Sequence, residues 1–157
     1  MAIDIIFNPL EQYHIEHVIL DYNGTLAIDG EMIPGIDEKL KSLAEHVNIH
    51  VVTADTFKMA AEQLKKVPVK LTIVKNGQEK QQKLFYLENL GREKCIAIGN
   101  GTNDALMLAK APISIAVIQA EGTSQEALSA AKIVCFSIND AISLCLKPKR
   151  IVATLRK

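Results

Sequence analysis

From His14 to Leu146 the chain alternates short apolar runs with stretches whose apolar residues recur at helical spacing. The runs His14 to Leu20, Val47 to Thr53, Val67 to Val74, Lys94 to Ile98, Ile113 to Ile118 and Lys132 to Phe136 have the length and β-branched content of buried strands. Between and after them, Ile36 to His46, Phe57 to Lys66, Glu79 to Leu90, Ala105 to Ala111, Ser124 to Ala131 and Ile138 to Leu146 read as helices. Strand–helix alternation of this kind implies a mostly parallel sheet with right-handed crossovers and helices on both faces, a three-layer doubly wound α/β fold.

Smaller signals refine that plan. Ile3 to Phe7 precedes Asn8-Pro9 and reads as an edge strand or as one arm of a hairpin with the residues after that turn. Asp29-Gly30 and Pro34-Gly35 flank Glu31-Met32-Ile33, predicting a small β-hairpin flap between Leu26 and Ile36. Pro68 moves its strand to an edge or delays its start, Gly91 caps the Glu79 helix, and Pro148 ends the last one. The basic residues beyond it, Lys147 to Arg150 and Arg156-Lys157, read as a solvated tail.

With 157 residues, 48% hydrophobic and 23% charged, the protein supports a single domain over 1–157 with a proper core. The formal net charge is zero, so the balance implies no nucleic-acid partner. Cys95, Cys135 and Cys145 sit in apolar contexts without metal or disulfide spacing and read as buried, reduced thiols. His14, His17, His46 and His50 flank strands without ligand spacing and are assigned surface or strand-end places. Neither a leader peptide nor a membrane-spanning run is expected, which points to a cytoplasmic protein with no membrane partner.

Three strands end in polar clusters: Asp21-Tyr22-Asn23-Gly24-Thr25, Thr53-Ala54-Asp55 and Gly99-Asn100-Gly101-Thr102-Asn103-Asp104. In a parallel sheet all three lie on the carboxyl edge, where ligands bind. Gly24 would let backbone N–H groups approach an anion, Thr53 offers a hydroxyl, and a lysine of the Glu79 helix could supply positive charge. Asp21 and Asp104 would share a hard divalent cation such as Mg²⁺. Such a set fits phosphoryl transfer to an aspartate.

The same residues carry a family resemblance. Asp21-Tyr22-Asn23-Gly24-Thr25-Leu26 resembles the first motif of the haloacid dehalogenase superfamily, D-x-D-G-T-L in its phosphatases and D-K-T-G-T-L in P-type ATPases. Thr53-Ala54-Asp55 is similar to the ATPase T-G-D, and Gly99 to Asp104 to G-D-G-x-N-D. Ile113 to Val117, Gly122, Glu126-Ala127 and Ala130 to Val134 extend the likeness, which is strongest to the soluble, capless P-type ATPase-like group. The resemblance implies that Asp21 is the nucleophile that becomes a phospho-aspartate and that the Asn23 carbonyl is a metal ligand. Thr53, Ala54, Gly24 and Asn103 would surround the phosphoryl oxygens, and Asp104 and Asn100 would complete the metal site. For the motif lysine, helix-face geometry places Lys80 ahead of Lys83, one turn later on nearly the same side.

Two departures bear on activity. Asn23 stands where the phosphatases carry their proton-shuttling aspartate, and Asn100 replaces the first carboxylate of G-D-G-x-N-D. The resulting expectation is a slow Mg²⁺-dependent phosphohydrolase, with a module that only binds a phosphorylated ligand as the alternative. Both asparagines precede glycine, the dipeptide most prone to deamidation, so ageing could restore aspartate at either position. Leu26 to Thr53 leaves no room for a nucleotide-binding or cap domain, so the site should be open. A phosphorylated small molecule or phosphoprotein would be its substrate, and a second copy of the protein would close it as a homo-oligomer.

Overall fold

The computed structural model describes residues 1–54 and 58–157. Its centre is a six-stranded sheet built from β3 (His17–Leu20), β6 (Asn48–Thr53), β7 (Lys70–Ile73), β8 (Cys95–Gly99), β9 (Ile113–Val117) and β10 (Ile133–Cys135). The spatial order is β10-β9-β8-β3-β6-β7, and every neighbouring pair is parallel. From β3 the chain winds outward through β6 and β7, then returns to β8 on the other side of β3 and winds outward again. The order therefore reverses beside β3, and the crevice outside the carboxyl ends of β3 and β8 is the topological switch point.

Alternate residues of each strand feed opposite cores. Val18 and Leu20 of β3, Ile49 and Val51 of β6, and Ile96 and Ile98 of β8 pack with α1 (Ile36–Ala44), α2 (Met59–Leu64) and α6 (Ile138–Leu146). Ile19, Val52, Cys95 and Ala97 point the other way, against α3 (Glu79–Leu90), α4 (Ala105–Lys110) and α5 (Gln125–Ala130). Strands apolar on both faces are what a sheet covered on both sides requires. The three-layer α/β expectation holds, and between Leu26 and α1 there is only the flap, β4 (Ala27–Ile28) paired antiparallel with β5 (Glu31–Met32).

Four details differ from the sequence reading or sharpen it. The run His14 to Leu20 is two strands: β2 (Glu11–Ile15) pairs antiparallel with β1 (Ile3–Asn8), and β3 begins the main sheet after Glu16. One apolar run thus serves two sheets, its hairpin part burying Ile3, Ile5 and Ile15. β7 starts at Lys70, after Pro68, at the sheet edge, which resolves the two effects expected of that proline in favour of both. The basic terminus is not a solvated tail: Pro148 opens a further helix, α7 (Pro148–Leu155), whose Ile151 is fully buried and which packs on β1. Proline at the first helical position has no N–H to lose, so one residue ends α6 and starts α7. The helix read over Phe57 to Lys66 is described from Met59; Asp55 and Phe57 lie outside the described residues.

Candidate active site

β3 delivers Asp21 to the carboxyl edge, where its N–H donates to the Ile98 carbonyl at 3.0 Å. The chain then turns so tightly that the Tyr22 carbonyl accepts from the N–H groups of Thr25, Leu26 and Ala27. The buried Tyr22 ring reaches under the flap, its hydroxyl donating to the Gly30 carbonyl at 2.8 Å. Gly24 has φ +80°, and a Cβ there would stand 2.3 Å from Asn100 Nδ2. Glycine is needed on both counts, conformation and room. Its N–H, however, donates to the Ala27 carbonyl at 2.7 Å, so it closes the turn and is not offered to an anion as expected.

β8 brings the second cluster. After Gly99 the chain enters a short 3₁₀ turn, Thr102–Asp104, that folds Asp104 back beneath the strand end. Asp104 Oδ2 accepts from the N–H groups of Asn100 at 3.1 Å and Gly101 at 3.0 Å. A Cβ on Gly99 would lie 2.5 Å from the Asp104 carboxyl carbon, so glycine makes that return possible. Asn100 Oδ1 accepts from Thr25 Oγ1 at 3.1 Å and its Nδ2 donates to the Gly122 carbonyl at 3.1 Å. These bonds tie the two loops together.

Between them stands Lys83, from the second turn of α3, with a side chain 1% exposed. Its ammonium donates to Asp21 Oδ1 at 2.8 Å, Asp104 Oδ1 at 2.7 Å and Asn103 Oδ1 at 3.3 Å. Lys80, preferred from the sequence, is not brought to the site: it pairs with Glu126 at 2.7 Å, and its side chain is 32% exposed. The correction is geometric. Nearly a full turn of helix separates the two lysines, and the one beside the buried Leu87 faces the sheet.

Two carboxylates facing one ammonium leave the buried cluster with an excess negative charge. Burial pushes the Asp21 carboxyl up to about 6, and Asp104 adds to the effect while Lys83 and the Tyr22 N–H oppose it. Burial alone would lower the Lys83 ammonium, but Asp21 and Asp104 outweigh it and hold it above its ordinary range.

Above the cluster is a pocket of about 160 Å³ lined by Asp21, Asn23, Thr53, Ala54, Asn100, Gly101 and Asn103. The structure thus gathers the predicted residues of all three strand ends, apart from Lys80 and from Asp55, which lies outside the described residues. Asp104 and Lys83 form the floor rather than the lining. A larger hollow of about 300 Å³ between the flap, α1 and α2 is lined by charged residues including Glu62, Lys65 and Lys66, and holds none of these groups.

The oxygen donors suit a hard divalent cation, with one revision. Asp104 has both carboxylate oxygens engaged, by Lys83 and by two backbone amides, so it is poorly placed for direct ligation. Asp21 Oδ2 lies 3.5 Å from the Thr25 hydroxyl and carries no ion pair with a described residue, and Asn100 Oδ1 accepts from the same hydroxyl at 3.1 Å. Asp21, Asn100 and the Asn23 carbonyl therefore fit such an ion, with few charges among them. Among the described residues no cluster of three or more His, Cys, Asp or Glu could hold a metal.

Sequence reasoning missed Gln119. Its Nε2 donates to the carbonyls of Gly24 and Thr25 at 3.1 and 3.0 Å while its Oε1 accepts from Ile138 N at 2.7 Å, bracing the Asp21 loop against the start of α6. Nothing in its neighbourhood, Val117-Ile118-Gln119-Ala120, marks that role. His50 was also misplaced: it is buried in β6, Nδ1 meeting the Tyr86 hydroxyl at 2.8 Å and Nε2 meeting His17 Nδ1 at 3.0 Å.

Residues 36–144 match the family model of haloacid dehalogenase-like hydrolases. The protein belongs to that family. The matched segment starts after the Asp21 loop, so the loop's place in the site rests on its own geometry. In the fold comparison, the cobalt-bound deoxy-D-mannose-octulosonate 8-phosphate phosphatase of Haemophilus influenzae superposes with a TM-score of 0.71 at 13% identity, over 91% of this chain and 94% of that one. The 3-deoxy-D-manno-octulosonate 8-phosphate phosphatase of Moraxella catarrhalis, in complex with magnesium and phosphate ions and the KDO molecule, gives 0.70 at 15%, over 90% and 94%. At these identities the likeness is one of fold. In sequence, an uncharacterized protein of Methanocaldococcus jannaschii is 45% identical over 86 residues, which is 52% of this chain and 92% of that protein. No helix among the described residues is long and apolar enough to cross a membrane.

Proposed function

We propose that this hydrolase is a divalent-metal-dependent phosphohydrolase that works through a phospho-Asp21 intermediate. The observation that carries the reading is the Lys83 ammonium, buried between Asp21 and Asp104 at the floor of a small polar pocket. Phosphoryl transfer asks for positioning and charge neutralisation more than for elaborate covalent chemistry. A carboxylate oxygen of Asp21 attacks phosphorus, the bond to the leaving oxygen breaks, and water later attacks the acyl phosphate to free inorganic phosphate and restore the carboxylate. Lys83 offsets charge on the phosphoryl oxygens, and the Thr53 hydroxyl and Asn103 amide orient them. A divalent ion, Mg²⁺ being the expected one, would be held by Asp21, Asn23 and Asn100 and would neutralise charge on the transferring group. Substrates are phosphate monoesters, the class to which the 8-phosphate in the names of the two structural neighbours belongs.

Asn23 sets the rate. Asp21 is the only titratable group among the described pocket-lining residues, so none of them is free to protonate the leaving oxygen or deprotonate the water. An amide in place of a general acid and base costs about 10² to 10⁴ in turnover. The same observation favours the second reading, a module that binds a phosphorylated ligand without turning it over. The affinity to the P-type ATPase-like group belongs with the slow reading, since those proteins lack an aspartate at the corresponding position. An open pocket without a cap suits a large phosphorylated partner or closure by a second copy of the protein.

The test is phosphate release from a generic monoester with Mg²⁺, together with acid-quench trapping of the phospho-enzyme. Wild type should show slow turnover, Asp21→Asn none, and Asn23→Asp a gain of about 10²-fold or more. Absence of both turnover and trapped phospho-enzyme in wild type, with phosphate still bound, would leave the binding module as the function.

A further inference from the structure

The sequence contains three Asn-Gly dipeptides: Asn23-Gly24, Asn76-Gly77 and Asn100-Gly101. Deamidation at such a pair has a fixed chemistry. The glycine N–H loses its proton to solvent, the nitrogen attacks the asparagine Cγ, the Cγ–Nδ2 bond breaks and ammonia leaves, giving a cyclic succinimide. Water then opens one of its two carbonyls to yield aspartate or isoaspartate. The reaction therefore needs a glycine N–H that is free to ionise and a backbone free to rotate that nitrogen onto Cγ.

The two pairs in the candidate site are denied both. Gly24 N–H is held by the Ala27 carbonyl at 2.7 Å, and the residue is wedged against the Asn100 side chain. Gly101 N–H is held by Asp104 Oδ2 at 3.0 Å, and the nearby carboxylate disfavours loss of that proton. Asn100 itself is fixed at both ends of its amide: Thr25 donates to the oxygen, and the nitrogen that would leave donates to the Gly122 carbonyl.

The third pair is arranged in the opposite way. Asn76 and Gly77 are the two exposed central residues of a turn closed by Gln78 N–H donating to the Lys75 carbonyl at 3.0 Å. Gln82 Oε1 fixes the near end of that turn by accepting from Lys75 N at 2.7 Å. Neither Gly77 N–H nor the Asn76 side chain has a hydrogen bond to any described residue, and a Cβ on Gly77 would meet nothing within 4 Å. We infer that Asn76 is the protein's deamidation site, and that the fold itself protects Asn23 and Asn100. The modification adds a carboxylate, or an extra main-chain methylene with it, just ahead of α3, the helix that carries Lys83. The expectation that ageing converts the two site asparagines to aspartate is accordingly replaced: ageing marks the turn before α3 and leaves the pocket amides intact.

The experiment is incubation of the full-length protein at mildly alkaline pH, with samples digested and mapped by mass spectrometry for amide-to-acid conversion at each of the three asparagines. A parallel series is run in strong denaturant. In native buffer Asn76 should convert at least about fivefold faster than Asn23 and Asn100, the factor that one retained hydrogen bond supplies. In denaturant the three rates should converge. Native conversion of Asn23 or Asn100 at the rate of Asn76 would overturn the inference. So would the same ranking in denaturant, because local sequence rather than the fold would then set it.

Discussion

The two ends of the central strands bury polar clusters of comparable size and treat charge in opposite ways. At the carboxyl edge, Asp21, Lys83 and Asp104 are ionised partners in a site closed to solvent on one side. Toward the amino edge, on the same α3-facing side of the sheet, His17, His50 and Tyr86 form a chain of neutral hydrogen bonds. Thr72 Oγ1 donates to the Tyr86 oxygen at 3.4 Å, the Tyr86 hydroxyl meets His50 Nδ1 at 2.8 Å and His50 Nε2 meets His17 Nδ1 at 3.0 Å, with the imidazole tautomers setting which atom donates in the last two. Burial first, then His17 and Lys70, pull the His50 imidazole down to about 4, so it is uncharged at neutral pH. The neutral cluster satisfies every member at modest cost. The charged one carries a carboxylate in excess of its cations, a strain that a merely structural cluster would have no reason to keep.

The largest effect expected from breaking the contrast comes from Lys83→Met. It removes the only cation from two buried carboxylates and should lower stability by about 3–5 kcal/mol in urea denaturation. Lys80→Ala serves as the control, because its bond to Glu126 is a surface pair worth about 0–1 kcal/mol. Similar losses for the two would mean that the charged cluster is not a buried unit.

Asp21→Asn tests the excess charge directly. The variant keeps the side-chain shape, leaves Lys83 and Asp104 as a balanced pair, and relieves a carboxyl that burial pushes up to about 6. It should therefore gain about 2 kcal/mol at pH 7 while losing all phosphoryl acceptance. Destabilisation instead would show that the Asp21 carboxylate is there for the fold.

How much of this was readable in the sequence follows from the same comparison. The parallel sheet, the flap and the three polar strand ends were legible, because periodicity and turn chemistry are local signals. That Asp21, Thr53 and Asp104 come to one sheet edge was legible for the same reason, since each belongs to the polar cluster directly at the end of a buried strand. Lys83 was not separable from Lys80, because α3 is amphipathic only weakly and residues three apart on a helix face nearly the same way. α7 was hidden by its basic residues, which stay outside while the fully buried Ile151, with Val152 and Leu155 partly buried beside it, anchors the helix. Gln119 and the His50–Tyr86 bond join residues far apart in the sequence, and no local pattern announces such partners.

Acid titration sharpens the comparison further, with the two clusters predicted to act in opposite directions. A His held below its ordinary value contributes stability that is present above pH 6.5 and lost as pH falls toward about 4, roughly 2 kcal/mol for His50. A carboxyl held above its ordinary value does the reverse: Asp21 weakens the fold above about pH 6 and ceases to do so as it takes up its proton. In the metal-free wild type the two should nearly cancel between pH 6 and 4. Asp21→Asn removes one arm, so its stability should fall more steeply over that interval than the wild type's, by about 2 kcal/mol. Parallel pH curves for the two proteins would refute the opposing assignment.

Tyr86→Phe asks whether the clusters are independent. Tyr86 lies on α3 within a turn of Lys83, so the helix touches both regions. Losing the hydroxyl leaves His50 Nδ1 without its Tyr86 partner and should cost about 1 kcal/mol. Lys83 keeps all three of its oxygen partners, so binding of beryllofluoride at Asp21, a stand-in for the phosphoryl group, should change by less than about twofold. If it weakens in proportion to the stability loss, α3 transmits the rear hydrogen-bond chain to the nucleophile, and the neutral cluster becomes a positioning element of the site rather than its structural counterpart.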